Sequence, residues 1–194
     1  ELSGDTGSGG GGQQKKFEPV ELSENAMYKK GRLVGRLSLE ASRGLSYSDR
    51  HDTKGVLVCP DFTIGGVNIG TLSGTVTKCG FKVETEITDG RPKARLKAEV
   101  TLKATDRERV NAVAIEKDLT YAQLDEAFRE NFSRVVKNDI EKAYSESCLV
   151  DCDIFEIEQK LYRFHTKDYK KFMETGKNLL AECETEISVK IVVI

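Results

Sequence analysis

The sequence predicts an α+β fold: an antiparallel sheet with a long helix packed across one face, plus shorter C-terminal helices and a final strand. Three features of the chain predict it. Phe81, Val83, Thr85 and Ile87 alternate with Lys82, Glu84, Glu86 and Thr88; after Asp89-Gly90, Ala94, Leu96, Ala98, Val100, Leu102 and Ala104 alternate with Lys93, Arg95, Lys97, Glu99, Thr101 and Lys103. Period two over such a length means one buried face and one solvated face. Next, Leu124, Phe128, Phe132, Val135, Val136, Ile140 and Ala143 recur at three- and four-residue steps. They put an apolar stripe on one side of a helix, with Arg129, Glu130, Arg134, Lys137 and Glu141 mostly elsewhere. Last, Glu184 to Ile194 alternates as a terminal strand whose final residues are apolar on both faces, which suggests a central or covered position.

Taken in order, residues 1–25 are rich in Gly, Ser, Gln and charge, with an unbroken glycine run at Gly9–Gly12. Such a composition offers little apolar surface to offset the entropy of ordering and reads as a flexible leader or linker, with residues 26–194 as one domain. Ala26–Gly44 reads as a short strand, a Lys30-Gly31 turn, a second strand from Arg32 to Leu37, and a polar segment closed by Arg43-Gly44. Val56–Cys59 is a short apolar strand ended by Pro60. Gly65, Gly66 and Gly70 predict a bulge or loop, and Val67–Lys78 is rich in Thr and Val and suits a strand. Asp89-Gly90 is a favoured hairpin dipeptide, while Arg91-Pro92 predicts a loop longer than two residues. Thr120 with Gln123 forms a capping-box signature at the start of the long helix, over 120–146. Asp153–Arg163 reads as a second, shorter helix. Thr166 is placed to cap a third, which Gly176 ends.

Charge and composition restrict the function classes. The 194 residues carry a net charge of −2. Glu1, Asp5, Glu18, Glu21 and Glu24 against Lys15 and Lys16 give the leader −3, so the remainder is +1. A near-neutral domain lacks the basic excess of a nucleic-acid binder. No apolar run approaches the length of a bilayer-spanning helix. The chain begins at Glu1 without a signal-peptide pattern and reads as part of a longer protein. Cys59, Cys79, Cys148, Cys152 and Cys183 form no CxxC pair, and His51 and His165 have no partners at zinc spacing. The cysteines read as small apolar residues, although Cys148 and Cys152 could share a helix face at i,i+4.

No catalytic, cofactor-binding or metal-binding residue is assigned. Glu156 and Glu158, two apart on a helix, point to different faces. Glu84 and Glu86 share a strand face, but it is the solvated one. His165 beside a basic run has no Ser or Cys partner identifiable by spacing. Gly65-Gly66-Val67-Asn68-Ile69-Gly70 lacks the GxxxxGK[ST] pattern of a phosphate-binding loop.

Several segments resemble the C-terminal domain of the Ger(x)C family, the lipoprotein C subunits of bacterial spore germinant receptors. Ala26-Met27-Tyr28-Lys29-Lys30-Gly31-Arg32-Leu33-Val34-Gly35 is similar to the family's lysine-rich turn and Leu-Val-Gly strand. Glu40 with Arg43-Gly44 falls at its Glu…Arg-Gly step, and Lys82-Val83-Glu84…Asp89-Gly90-Arg91-Pro92 is similar to its charged hairpin. Asp153-Ile154-Phe155 stands at its Asp-Ile/Val-Phe position, followed by the basic, aromatic Tyr162-Arg163…Lys167-Asp168-Tyr169-Lys170-Lys171. Two departures stand out: Glu156 and Glu158 replace glycines that usually follow Asp-Ile-Phe, and Thr166 and Tyr169 stand for a usual Pro and Trp.

The resemblance implies a non-catalytic receptor domain, needed for nutrient-triggered germination and acting through protein contacts. It implies A and B subunits as partners, no cofactor, and a place at the extracytoplasmic face of the spore inner membrane. Anchoring would be through a lipid on an N-terminal cysteine outside this sequence. The alternative is an extracytoplasmic ligand- or peptide-binding module with no link to spores. Partner-binding residues are not assigned; Tyr28, Arg32 and Arg43 draw notice, yet a strand of alternating charge is ordinary surface.

Overall fold

The computed structural model describes residues 25–49, 55–105 and 107–194. In chain order its elements are β1 (Ala26–Lys29), β2 (Arg32–Arg36), α1 (Leu39–Ser46), β3 (Gly55–Cys59), β4 (Thr63–Ile64), β5 (Val67–Asn68), β6 (Leu72–Thr88) and β7 (Arg91–Ala104). Then follow α2 (Arg107–Glu116), α3 (Tyr121–Leu149), α4 (Ile157–Phe164), α5 (Thr166–Met173), α6 (Leu179–Glu182) and β8 (Glu184–Val193). The leader expected over 1–25 lies outside the described residues except for Asn25, as does His51.

The main sheet has the order β3-β6-β7-β8. β3, β6 and β7 are antiparallel neighbours, as the alternation predicts, and β8 joins β7 in parallel. A parallel neighbour needs a crossover, here supplied by the helices between residues 107 and 182. β8 therefore sits at the edge of the sheet rather than its centre. Its apolar character answers to cover on one face by α3.

Every second residue of β7 from Ala94 to Ala104 is buried. On β6, Leu72 and Val76 are buried, then Cys79, Phe81, Val83 and Ile87 pack against the same core. The parity changes from even to odd because the register with β7 shifts between Val76 and Lys78. One extra residue re-aims the strand, so both halves of β6 keep their apolar side chains toward the helices.

The hairpin turn is tighter than the sequence predicts. Thr88 pairs directly with Arg91, and Asp89 (φ 53°) and Gly90 (φ 75°) take left-handed conformations, which makes a two-residue turn. Pro92 does not force a longer loop. It faces Ile87 across a pair in which its nitrogen points away from β6, and β8 begins pairing only at Lys93, so no ladder bond is lost.

Thr120 and Gln123 form the expected capping box. From there α3 buries Phe128, Phe132, Val136, Ile140 and Ala143. Phe62 meets Phe128 and Phe132 at centroid distances of 5.1 and 6.1 Å. α3 runs antiparallel to β8: Ser133 Oγ donates to the Val189 carbonyl (3.3 Å), and the Tyr144 hydroxyl lies 3.4 Å from the Cys183 carbonyl. Buried Asn131 clips β4 to α3, donating to the Thr63 carbonyl (2.8 Å) and accepting from the Thr63 amide (3.1 Å).

Three local expectations change. The polar segment before Gly44 is helix α1, started by Ser38, whose hydroxyl accepts from the Ala41 amide. The second C-terminal helix starts at Ile157, not Asp153; Asp153 caps it, accepting from the amides of Ile157 (2.8 Å) and Glu158 (2.7 Å). Thr166 is already inside α5 and donates its hydroxyl back to the Tyr162 carbonyl (2.7 Å), so it is no cap.

Phe132 is fully buried between the sheet and Phe62. Phe132→Ala is expected to lower stability by about 3–5 kcal/mol. Urea unfolding checks this: the midpoint should fall with little change in slope.

Candidate interaction surface

The family-like residues at the start of the chain build a helix crossing. Ser38 donates its amide and hydroxyl to Glu146 (2.8 and 2.6 Å), Glu40 pairs with Lys142 (3.5 Å), and Arg43 forks onto Asp139 (3.0 and 3.1 Å). Rising numbers on α1 meet falling numbers on α3, so the two helices run antiparallel. At the crossing, a Cβ on Gly44 would stand 2.1 Å from the Asp139 carbonyl oxygen, so only glycine fits. The Asp139 carboxylate is buried, and the Tyr47 hydroxyl approaches it at 3.4 Å. The bond to Asp139 holds the Arg43 guanidinium proton more firmly than usual, and burial with the nearby carboxylate pushes the Tyr47 phenol well up. Arg43 is thus engaged with Asp139 through two of its nitrogens while its side chain stays partly solvated. Tyr28 and Arg32 remain exposed on the β1–β2 hairpin, with Tyr28 paired across the strands with Leu33.

The solvent face of the sheet carries a lattice of ion pairs. Glu84 bridges Lys82 and Lys97 (both 2.7 Å), Arg95 bridges Glu86 (3.0 Å) and Glu186 (3.3 Å), Lys93 meets Glu184 (3.1 Å), and Lys190 meets Glu99 (3.2 Å). Hydrogen bonds from Lys82 and Lys97 draw the Glu84 carboxyl down to about 2 from an ordinary 4.5. A hollow of about 560 Å³ lies where Gly80 leaves the sheet surface bare, walled by Lys78, Lys82, Lys97, Glu99 and Lys190. Nearer β3 the face turns apolar, with Val56 and Val58 exposed.

The other residues weighed for chemistry are placed as follows. Glu158 accepts from the Tyr169 hydroxyl (2.7 Å), and burial together with that bond pushes the Tyr169 phenol up to about 12. Glu156 is exposed, one residue outside α4. Gly65 and Gly66 form the turn between β4 and β5 with positive φ, not a loop opening a helix. His165 joins α4 to α5, half-buried. None of the five cysteines is joined in a disulfide; burial pushes the thiols of Cys59, Cys148, Cys152 and Cys183 up, away from the nucleophilic thiolate. Cys148 lies in the last turn of α3 whereas Cys152 lies beyond its end, so they share no helix face. Among the described residues no group of three or more His, Cys, Asp or Glu could hold a metal ion, and no helix is long and apolar enough to cross a membrane.

A family model described as spore germination B3/GerAC like, C-terminal, matches residues 23–194. The crystal structure of the GerBC protein superposes with a TM-score of 0.65 at 14% sequence identity, over 84% of this chain and 48% of that one. The chain thus spans about half the length of that relative, and the likeness shows the fold. No curated relative matches the sequence.

Two predictions follow from this geometry. Arg43→Ala leaves Asp139 buried without its cation and is expected to cost about 2–3 kcal/mol, less than a fully buried pair because Arg43 itself is partly solvated. Gly44→Ala must push α1 off α3 and is expected to cost about 3 kcal/mol. Thermal unfolding of both variants checks them.

The Glu84 carboxylate favours the folded state, because its folded pKa lies below its ordinary one. Its contribution is present above about 4.5 and is lost as pH falls through about 2. In NMR titrations, replacing both Lys82 and Lys97 by Ala should return the Glu84 pKa toward 4.5.

Proposed function

The chain belongs to the spore germination B3/GerAC-like C-terminal family, and from that membership we propose that it serves a germinant receptor C subunit as a non-catalytic domain acting through protein contacts. It is a GerAC-like domain of the germinant-receptor type, and the family match over residues 23–194 is the observation that carries the reading. The geometry supports contact rather than chemistry. Of the acids considered for catalysis, Glu84 and Glu86 are engaged in ion pairs, Glu158 is bonded to Tyr169 and Glu156 stands exposed outside α4, and four of the thiols are pushed away from reactivity. The family-like Arg43, Gly44 and Asp153 are spent on holding helices in place.

In this proposal the whole subunit sits at the extracytoplasmic face of the spore inner membrane, held by an N-terminal lipid outside this sequence. It associates there with receptor A and B subunits. Residues 1–25 would link this domain to a preceding part of the same subunit. The bare, charged face of the sheet and the exposed β1–β2 hairpin are the surfaces on offer to neighbours.

The test is co-purification of the full-length subunit with the A and B subunits from detergent-solubilised spore membranes. Retention of all three together is expected, with loss of the germinant response in spores lacking the subunit. Rescue of that response by a version with His165, Glu84 and Glu86 replaced is the expected outcome for a non-catalytic role. A subunit that fractionates away from spore membranes would overturn the receptor reading.

A further inference from the structure

The corner where α4 meets α5 brings together two properties, clustered cations and exposed aromatic rings. Between Lys160 and Met173 lie five cationic side chains, Lys160, Arg163, Lys167, Lys170 and Lys171, against the single carboxylate of Asp168. This segment is therefore +4, and +3 when Glu158 of α4 is counted with it, in a chain whose net charge is −2. The same corner exposes Tyr162 (54%), Phe164 (70%) and Met173 (42%). Arg163 stacks its guanidinium over the Phe164 ring at 5.9 Å, and the Tyr162 ring meets Tyr169 edge-on at 5.6 Å. The apolar groups are thus held outward beside the cations, while Ile157, Leu161 and Phe172 fix the opposite sides of the two helices in the core.

Exposed aromatic rings cost free energy in water, and clustered cations repel one another. Both penalties are relieved together at the headgroup layer of a bilayer containing anionic lipids. There lysine and arginine reach the phosphates while rings settle at the acyl boundary. The hollows over Gly80 and beside Phe155 are not lined by Tyr162, Phe164, Lys167, Lys170 or Lys171, so these groups present an outward corner and not a groove shaped for a peptide. We propose that the α4–α5 corner is a peripheral membrane contact, with Phe164, Tyr162 and Met173 entering the interface and Arg163, Lys167, Lys170 and Lys171 binding anionic lipid. Its place in the cell rests on the membrane location proposed above, whereas lipid binding itself is a property of this chain.

The experiment is sedimentation of the full 194-residue chain with vesicles of phosphatidylcholine, with and without phosphatidylglycerol, at low and high salt. Binding is expected only with phosphatidylglycerol, and weaker as salt rises. Replacing Lys167, Lys170 and Lys171 by Gln should lower the partition coefficient on the order of 100-fold. Phe164→Ala should lower it on the order of 10-fold. A control with Lys78, Lys103 and Lys117 changed to Gln should bind as the parent does, and circular dichroism establishes that each variant is folded. No binding to phosphatidylglycerol vesicles, or equal loss in the control, overturns the proposal. So does a corner that engages only an acidic receptor subunit and no vesicle. Loss of co-purification with vesicle binding retained would instead count against the receptor reading alone.

Discussion

How closely α1 approaches α3 governs the arrangement of everything before β3. Gly44 lies where any side chain would overlap the Asp139 carbonyl, and this contact brings the backbones together. On either side, side-chain pairs fix the register: Ser38 with Glu146, Glu40 with Lys142, Arg43 with Asp139. A buried ion pair contributes little net stability compared with apolar residues of the same shape. Its effect here is selective, because a slide of one helical turn would leave Asp139 buried without a cation. Met27 and Val150 close the same joint from the hairpin side, meeting over Gly35, and Lys29 pairs with Asp151 just past the end of α3. α3 is in this way a common spine, facing the sheet along one stripe and the N-terminal elements along another.

That spine divides the sheet into unlike faces. Toward α3 and α4 the contributions are mostly apolar, and the bulge between Val76 and Lys78 preserves this over the full length of β6. The register shift is what keeps Lys78 and Lys82 out of the core. On the far side most charged cross-strand neighbours are of opposite sign, and where Lys82 faces Lys97 the Glu84 carboxylate bridges the two, so most of the charges are paired within the surface. A face of this kind stays soluble without cover, and it has few unpaired charges with which to hold a small ligand in a fixed pose. The α4–α5 corner is the counter-example, because its cations outnumber nearby acids and its rings are left in water.

The sheet and the long helix were legible in the sequence because their periodicities are long and uninterrupted. Phe81–Ala104 and Leu124–Ala143 each repeat a pattern over many residues, and Thr120 with Gln123 marks the helix start by a local bond. Helix α1 was not legible, since it buries only Ala41 and Gly44, small residues that make no apolar stripe. The family-like Arg43-Gly44 was readable as a motif but not as a contact. Its partner Asp139 is 96 residues away, and local spacing carries no trace of such a pair. The edge position of β8 was hidden for a related reason. Val192 and Val193 are apolar on both faces, a pattern shared by a central strand and by an edge strand roofed on one side. Pro92 misled because its effect depends on where β8 begins, a tertiary fact.

The departures from the family pattern after Asp153-Ile154-Phe155 show how a local rule can be broken without loss of the fold. Glu156 adopts φ 57°, the left-handed conformation that glycine takes at no steric cost. For a residue with a Cβ the penalty is roughly 1–2 kcal/mol. The neighbours hold it in place. Asp153 fastens the first two amides of α4, and Phe155 stacks on Phe81 with centroids 5.5 Å apart. Both contacts fix the chain on either side of Glu156, so the unfavourable conformation is imposed rather than chosen. The same two anchors set the direction in which α4 leaves the sheet. The orientation of Tyr162, Arg163 and Phe164 at its far end therefore follows from one capping carboxylate and one stacked ring.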